Sequence, residues 1–537
     1  MTSAICRCVL SFAVRSAALV VLVVSLAEPT SAQLDSVGFT ADGAQWFDNP
    51  DPVPTQTLAQ SFGSALAAGD FNGDGADDLA TGSPGDRSHE RNGSVFVRYG
   101  RRGPGLDPGP LPLVLSHVTA AGAAGELFGA TVAAGNFDGD SFDDLAVAIV
   151  FGQDSGGGHR GVVRIYYGSS AGLRGDVYGQ LDAIMLRGEE CDFAQFGYAL
   201  ATGDFDGNGY HDLAIGAVQG CEPLAPTAIV GGVVYVAHGA AGGLPAGGSY
   251  WISQYSFGIY DDPETDDYFG LALAAGDFDH DQYDDLAIGI PGENNVSGAV
   301  EIVMGSTNGL IFADSVFWFP GALGEVPEAN DLMGAALAAA DFDGDGHDDL
   351  AVGTPGETVD GATKTGAIAI AYGAPAGFDL ARTDKLTQSA IYGNAAHEAA
   401  FDQFGWAFGV GDFDGDGYDD LAIGHPGDDW AGPGLGAVTI LMGALPPLGF
   451  STRHHLVAVG WEGVPGNRFW ANQNAGYAIA AGDFDGSGHP DLAFGVPGYR
   501  LNNVDLIGAG VVLYTETKLF SDGFESGATD RWSATFQ

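Results

Sequence analysis

One unit recurs seven times along this chain. An aspartate-rich loop of nine residues begins at Asp70, Asn136, Asp204, Asp277, Asp341, Asp412 and Asp483, at spacings of 66, 68, 73, 64, 71 and 71 residues. Ahead of it stands an apolar residue followed by glycine: Phe62-Gly63, Phe128-Gly129, Phe196-Gly197, Phe269-Gly270 and Phe404-Gly405, with Met333-Gly334 and Ala475-Gly476 as weaker versions. After the loop comes Gly82-Ser83-Pro84-Gly85 or its equivalent at Gly289, Gly353, Gly424 and Gly495; the second and third units lack the proline. A strand-like run follows, such as Val300-Glu301-Ile302-Val303-Met304. A unit of this length holds about four short strands and their turns. One such sheet cannot bury its own faces, so neighbouring units must stack on one another. The expected fold is all-β, a seven-bladed β-propeller.

Details of the unit agree. The segment entering the first loop, Ala65-Leu66-Ala67-Ala68-Gly69, is built of small residues. Five residues are too few for a stable helix, whatever alanine prefers. An innermost strand crowded around a propeller axis needs small side chains. After Val511-Val512-Leu513-Tyr514 there is no room for another unit, whereas Ala44-Gln45-Trp46-Phe47 resembles the outer-strand stretches Ser249-Tyr250-Trp251-Ile252 and Val316-Phe317-Trp318-Phe319. The N-terminal strand is therefore expected to close blade seven, which removes exposed sheet edges. The expected organisation is 1–32 a signal peptide, 33–58 the segment completing the last blade, 59–515 seven repeats, and 516–537 a C-terminal tail.

The loops have the chemistry of a hard-cation site. In Asp412-Phe413-Asp414-Gly415-Asp416-Gly417-Tyr418-Asp419-Asp420, carboxylates at positions 1, 3, 5 and 9 and a carbonyl at 7 can converge on one ion. Glycine at position 6 permits the sharp turn. The candidate ligands are Asp70, Asn72, Asp74 and Asp78; Asn136, Asp138, Asp140 and Asp144; Asp204, Asp206, Asn208 and Asp212; Asp277, Asp279, Asp281 and Asp285; Asp341, Asp343, Asp345 and Asp349; Asp412, Asp414, Asp416 and Asp420; and Asp483, Asp485, Ser487 and Asp491. In the second loop Ser141 replaces the position-6 glycine. An EF-hand is excluded because position 12 is never glutamate and strands flank the loop. An ordinary Asx turn would explain one copy, but not seven in the same register. Oxygen-only ligands favour Ca²⁺ over Mg²⁺, with up to seven ions.

Charge narrows the partners. Nineteen Lys+Arg stand against 70 Asp+Glu, a formal net charge of −51. Phosphate binding needs clustered bases, so no nucleic acid is expected. Residues 1–32 carry Arg7 and Arg15, an apolar run Ala17–Leu26 and then Thr30-Ser31-Ala32, the order of a secretory signal. No later segment approaches the ~20 apolar residues of a membrane span. The expected protein is secreted or surface-exposed, and monomeric. Cys191 and Cys221 remain after cleavage, and their spacing alone does not decide whether they pair.

Together the Phe-Gly start, the Asp loop and Gly-x-Pro resemble the FG-GAP repeat of integrin α-subunit propellers and related secreted bacterial proteins, over about residues 37–515. The resemblance implies seven blades with calcium between the first two strands of a blade. It does not imply integrin-style signalling: the spacings leave no room for an inserted ligand-binding domain, and no Asp-x-Ser-x-Ser motif occurs.

Two functions remain open. One is a non-catalytic adhesion or binding module for an extracellular protein or glycan, with Tyr198, Tyr268, Trp406, Trp430 and Trp470 as contact candidates or as packing between blades. The other is a calcium-dependent polysaccharide lyase or hydrolase, which requires one blade to break the pattern. The irregular stretches are Gly220-Cys221-Glu222 and Tyr260-Asp261-Asp262-Pro263-Glu264, whose acids read as solvated loop charges. Gly168-Ser169-Ser170-Ala171-Gly172 mimics a nucleophile elbow, but the repeat makes it a turn. No catalytic residue is assigned. His211, His347 and His489 fall in or beside the loops and are expected to face solvent, and Arg174-Gly175-Asp176 is read as coincidence.

Overall fold

The computed structural model describes residues 39–48 and 61–515, apart from 86–91, 108–111, 117–124, 176–177, 188–193, 222–229, 246–247, 257–262, 321–326, 395–397, 446–448, 461–463, 465–471 and 502–503. The expected signal peptide and tail lie outside the described residues, as do Cys191, Asp176 and Trp470.

Seven four-stranded antiparallel sheets form the seven blades. Blade one is Ala65–Gly69, Asp78–Ser83, Ser94–Arg98 and Leu113–Ser116; blade two is Phe128–Gly135, Asp144–Ile149, Val162–Tyr166 and Gly179–Leu181. Blade three is Phe196–Gly203, Asp212–Ala217, Val233–Ala237 and Tyr250–Ile252; blade four is Leu273–Gly276, Asp285–Ile290, Ala299–Met304 and Ile311–Trp318. Blade five is Ala336–Ala340, Asp349–Thr354, Ala367–Ala374 and Gly377–Leu386; blade six is Ala407–Gly411, Asp420–His425, Ala437–Gly443 and Phe450–Val457. Blade seven is Ile479–Gly482, Asp491–Val496 and Ala509–Thr515, and its outermost strand is Phe39–Asp48 from the other end of the chain. Trp46 pairs with Val511, Phe47 with Gly510 and Asp48 with Ala509, so the closure read from the sequence is what forms.

Burial explains the pattern. Every second strand is buried at all six positions, because a neighbouring blade covers each of its faces. Such a strand reads as a continuous apolar run, here Asp-Leu-Ala-x-Gly-x or close variants, and does not alternate. The innermost strands are small because they crowd their neighbours: a Cβ added at Gly276 would sit 2.7 Å from the Ala339 Cβ of the next blade.

Two apolar residues per unit, mostly phenylalanines, cement the seams. The Phe-Gly phenylalanine reaches back, so that Phe128 shares a core cluster with Val95 and Val97 of blade one, and Phe269 with Val234 and Val236 of blade three. Its glycine is obligatory: Gly270 has φ +84° and a Cβ there would lie 2.6 Å from Val234 Cγ2. The second loop residue reaches forward. Phe71 joins Val147 and Tyr166 of blade two, and Phe342 lies 5.0 Å, ring to ring, from Phe450 of blade six. Each buried phenylalanine contributes about 1.5–3 kcal/mol.

Position 8 of the loop adds a polar clasp that the sequence reading did not assign. Asp143 Oδ2 accepts from Asp70 N at 3.0 Å while its own N–H donates to Asp70 O at 3.1 Å. Asp284 clasps Asp204 the same way at 2.7 and 3.1 Å, Asp348 clasps Asp277 at 3.0 and 3.1 Å, and Asp77 clasps Asp483 at 2.8 and 2.8 Å. Asp419 holds Asp341 likewise, and His211 holds Asn136 through Nδ1 at 3.2 Å. His211 is exposed, as expected, and also has a seam partner. At the blade six–seven seam the position is Pro490, which has neither an N–H nor a carboxylate. Asp284→Ala, which leaves the Asp204 N–H without its acceptor, should cost about 1–3 kcal/mol in urea unfolding. Pro490→Asp should raise the thermal midpoint by supplying the missing clasp.

Candidate metal centres and the axial cavity

Each loop is first held by its own aspartates. The position-9 carboxylate, buried at the root of the second strand, accepts two backbone N–H groups. Asp285 takes Phe278 N at 3.0 Å and Gly305 N at 2.7 Å; Asp420 takes Phe413 N and Gly443 N, both at 2.8 Å. The position-1 carboxylate accepts the N–H groups of positions 5 and 6, as Asp277 does from Asp281 at 2.8 Å and Gln282 at 2.9 Å. The position-5 side chain takes the N–H of position 7, as in Asp281 with Tyr283 at 3.0 Å.

Positions 1, 3 and 9 are then brought together. Asp277, Asp279 and Asp285, Asp341, Asp343 and Asp349, and Asp412, Asp414 and Asp420 each offer oxygens within 4.8 Å of one another and could hold a metal ion. In blade four Asp279 Oδ1 is buried without a hydrogen-bond partner, which suits a cation there. Its loop also holds two non-glycine residues, His280 at φ +58° and Gln282 at φ +77°, in the left-handed region. Position 5, also expected to ligate, stays on the turn, bonded to the N–H two residues on.

The other loops differ. In blade five the Arg382 guanidinium lies 2.6 Å from Asp343 Oδ2 and competes with any ion there. In blade three His238 Nδ1 lies 2.9 Å from Asp212 Oδ2 and 3.3 Å from Asp206 Oδ2, placing nitrogen in the donor set. Asn72 of blade one turns its amide onto Asp78 Oδ1 at 3.3 Å. In blade two Asn136 Nδ2 donates to Asp140 O at 2.7 Å, and Asp138 and Asp140 accept loop N–H groups. In blade seven Ser487 N donates to both Asp483 Oδ1 and Asp485 Oδ1. In blade three, Asp204 and Asn208 make turn bonds, and Asn208 Nδ2 also donates to Gly239 O at 3.3 Å. His238 and Arg382 come from the third and fourth strands, so only the folded blade brings them to the loop.

Burial, the largest cause, pushes the position-9 carboxyls far up from 3.8: to about 8 for Asp78, Asp285, Asp349, Asp420 and Asp491, and to about 7 for Asp144. The native state keeps protons that the unfolded chain releases above pH 4. This contribution is whole below 3.8 and is lost as pH rises through about 8. A metal needs the ionised form, so its affinity moves the opposite way.

One blade does break pattern. In blade six Tyr392 Oη meets Thr439 Oγ1 at 2.7 Å, Thr439 Oγ1 meets His425 Nε2 at 2.9 Å, and His425 Nδ1 meets Asp428 Oδ2 at 2.8 Å. The order hydroxyl–imidazole–carboxylate is that of an activated nucleophile. Yet Thr439 and His425 are both fully buried, so the hydroxyl meets only protein. Ser169 is a turn residue whose Oγ donates to Gly172 O at 2.8 Å. Cys221 is disulfide-bonded.

A cavity of about 650 Å³ opens at the Phe-Gly ends of the innermost strands of blades seven, one, two and three, opposite the Asp loops. Ser64, Thr131, Gln195, Tyr198, Tyr477 and Arg500 help line it. Tyr198 is 43% exposed, and Trp406 stacks on Tyr477 at 5.5 Å between centroids. Of the aromatic residues proposed as contacts, Tyr198 lines this cavity, and Trp406 reaches it only through its packing on Tyr477. Trp430 is exposed beside Asp428, on the loop after blade six's second strand.

The FG-GAP repeat model matches residues 62–97, 196–220, 269–303, 333–371 and 404–441, which fall in blades one, three, four, five and six. Blades two and seven share the fold without that match. Integrin alpha-7 of Rattus norvegicus is 35% identical over 173 residues, 32% of this chain and 14% of the integrin. Integrin alpha-PS2 of Drosophila melanogaster is 33% identical over 238 residues, 43% and 15% of the two chains, and integrin alpha pat-2 of Caenorhabditis briggsae is 30% identical over 275 residues, 46% and 20%. This chain therefore spans a fifth or less of the length of these relatives. Among solved structures, the exotype rhamnogalacturonan lyase YesX is similar with a TM-score of 0.41 and 12% identity, over 88% of this chain and 76% of that one. So loose a likeness carries no argument about activity. Among the described residues, no helix is long and apolar enough to cross a membrane.

Calcium should raise the thermal midpoint over that in EGTA, and by more at pH 8 than at pH 5, because the loop carboxylates must lose their protons to bind it. An equal shift at both pH values would mean that these carboxylates are not the ligands.

Proposed function

The chain is an FG-GAP repeat protein built as a seven-bladed propeller, and from that premise we propose that it is a calcium-binding, non-catalytic module, secreted or surface-exposed, that holds an extracellular protein or glycan at the cavity opposite its Asp loops. The cavity carries the reading. Amide and hydroxyl groups stand beside exposed tyrosine there, with Arg500 as a base on a strongly acidic protein. Aromatic faces with a few convergent polar groups are what small polar ligands and protein side chains dock against. The loops serve this function indirectly: a cation bound at the far end of a blade stabilises the ring that holds the cavity open.

On this reading the full set of candidate loop ligands takes up to seven Ca²⁺ ions, and the loops of blades four, five and six, which bring positions 1, 3 and 9 together, are the strongest donor sets. The protein acts, on this reading, as a monomer. Localisation follows from the expected signal peptide, and secretion into a culture medium is its direct check.

Immobilised extracellular-matrix proteins and a panel of neutral and acidic polysaccharides should be tested for binding in calcium and in EGTA. Tyr198→Ala and Tyr477→Ala should each weaken the calcium-dependent interaction about tenfold, the effect of roughly 1.4 kcal/mol, without lowering the thermal midpoint. Unchanged binding by both variants overturns the cavity as the contact surface. New unsaturated ends or reducing ends from any polysaccharide overturn the non-catalytic reading.

A further inference from the structure

At the other end of blade four from its Asp loop lies a second acidic group. Glu264, Asp267 and Glu293 each offer an oxygen within 4.8 Å of the others. Asp267 and Glu293 are 2% and 1% exposed, while Glu264, from one of the irregular stretches, is exposed. They belong to the turn before the Phe-Gly start and the turn after Gly-x-Pro-Gly. Glu293 is separated from the loop by the strand Asp285–Ile290, about 20 Å at 3.3 Å per residue. Gln254 reaches in from the end of blade three and is 3% exposed. Its Nε2 donates to Glu293 Oε2 at 3.0 Å, and its Oε1 is buried without a hydrogen-bond partner. A Cβ built at Gly231 would lie 3.4 Å from that oxygen and 3.0 Å from the backbone carbonyl oxygen of Glu264, so the amide oxygen stands near the Glu264 main chain.

Other blades show what such a corner takes. Blade five repeats it with Glu328, Asp331 and Glu357, and Lys385 Nζ stands 3.0 Å from Glu357 Oε1. Blade six repeats it with Asp402 and Asp428; His425 stands 2.8 Å from Asp428, and Gln388, at the position of Gln254, donates to Asp428 at 3.1 Å. Strand register makes Phe317 the blade-four counterpart of Lys385, since they pair with Glu301 and Ala369 respectively. Ile290 is the counterpart of His425, each being the last residue of its second strand. Blade four thus keeps the carboxylates, with Asp267 Oδ2 accepting from Glu264 N at 2.6 Å and Glu293 Oε1 from Asn294 N at 3.0 Å, and has apolar residues at the positions of Lys385 in blade five and His425 in blade six.

We propose that Glu264, Asp267, Glu293 and Gln254 Oε1 form a divalent-cation site at the blade three–four seam, distinct from the Asp loops. Its donors are all oxygen, three from carboxylates and one from an amide, the set that suits calcium. The ion does for blade four what the Lys385 ammonium does for blade five, and it ties the end of blade three to blade four.

The test is calorimetric titration of the chelator-stripped full chain with Ca²⁺, comparing the parent with Glu293→Gln, Phe317→Lys and the loop variant Asp279→Asn. Glu293→Gln should bind one ion fewer. Phe317→Lys should also bind one fewer, and should raise the metal-free thermal midpoint by putting an ammonium where the ion would sit. Asp279→Asn should lose a different ion, so that its combination with Glu293→Gln loses two. An unchanged ion count in both seam variants overturns the proposal. A count lowered by Glu293→Gln but not by Asp279→Asn supports the seam site and removes the loop assignment instead. Having two chemically different seam variants keeps the result readable if one fails to fold.

Discussion

A buried carboxylate that holds two backbone N–H groups is the interaction on which each blade depends. The last aspartate of every loop makes it: Asp78 with Phe71 and Gly100, Asp144 with Phe137 and Gly168, Asp212 with Phe205 and Gly239, Asp285 with Phe278 and Gly305, Asp349 with Phe342 and Gly373, Asp420 with Phe413 and Gly443, and Asp491 with Phe484 and Thr515. One oxygen fixes the loop phenylalanine, which then packs on the next blade; the other fixes the end of the third strand. Buried backbone donors without acceptors are costly. The aspartate therefore has a structural role in all seven blades, including those with poor metal donors. A cation adds to this frame and does not create it.

The repeat, the strand count and the closing strand were legible because each leaves a periodic or compositional mark. Small residues in Ala65–Gly69 and the outer-strand character of Gln45-Trp46-Phe47 report directly on crowding and on edge pairing. The acidic positions of the loop were also legible, because they recur in register, but not that in blades four to six positions 1, 3 and 9 come together while position 5 stays on its turn. What escaped was division of labour among the acids. Asp419 and Asp420 are adjacent and chemically identical, yet one crosses to a neighbouring blade and the other stays in its own. Only the strand twist and the seam geometry separate them. Pro490 was visible as a departure, but its meaning needed the clasp to be seen first.

The same limit applied to the charges that answer the acids. His238, Arg382 and Lys385 are 26, 39 and 28 residues from the carboxylates they meet, Asp212, Asp343 and Glu357. Each arrives from a third or fourth strand, so no local motif announces it. Glu264 shows the converse error: in sequence it belongs to a polar loop and reads as solvated, but the fold sets it beside the buried Asp267 and Glu293.

These placements give the acidic composition a physical order. With 19 basic residues for 70 acids, most carboxylates cannot have a basic side chain as partner. Solvated ones need none, since water and salt screen them. Buried ones must be protonated, take N–H groups or meet a cation. The position-9 aspartates take N–H groups and are pushed toward the protonated form. Asp343, Asp428 and Glu357 meet Arg382, His425 and Lys385. Blade four differs from blades five and six in having Phe317 and Ile290 where Lys385 and His425 stand. An external ion at the proposed seam site would supply there the positive charge that those two positions do not, so the stability of blade four should follow the ionic composition of the medium.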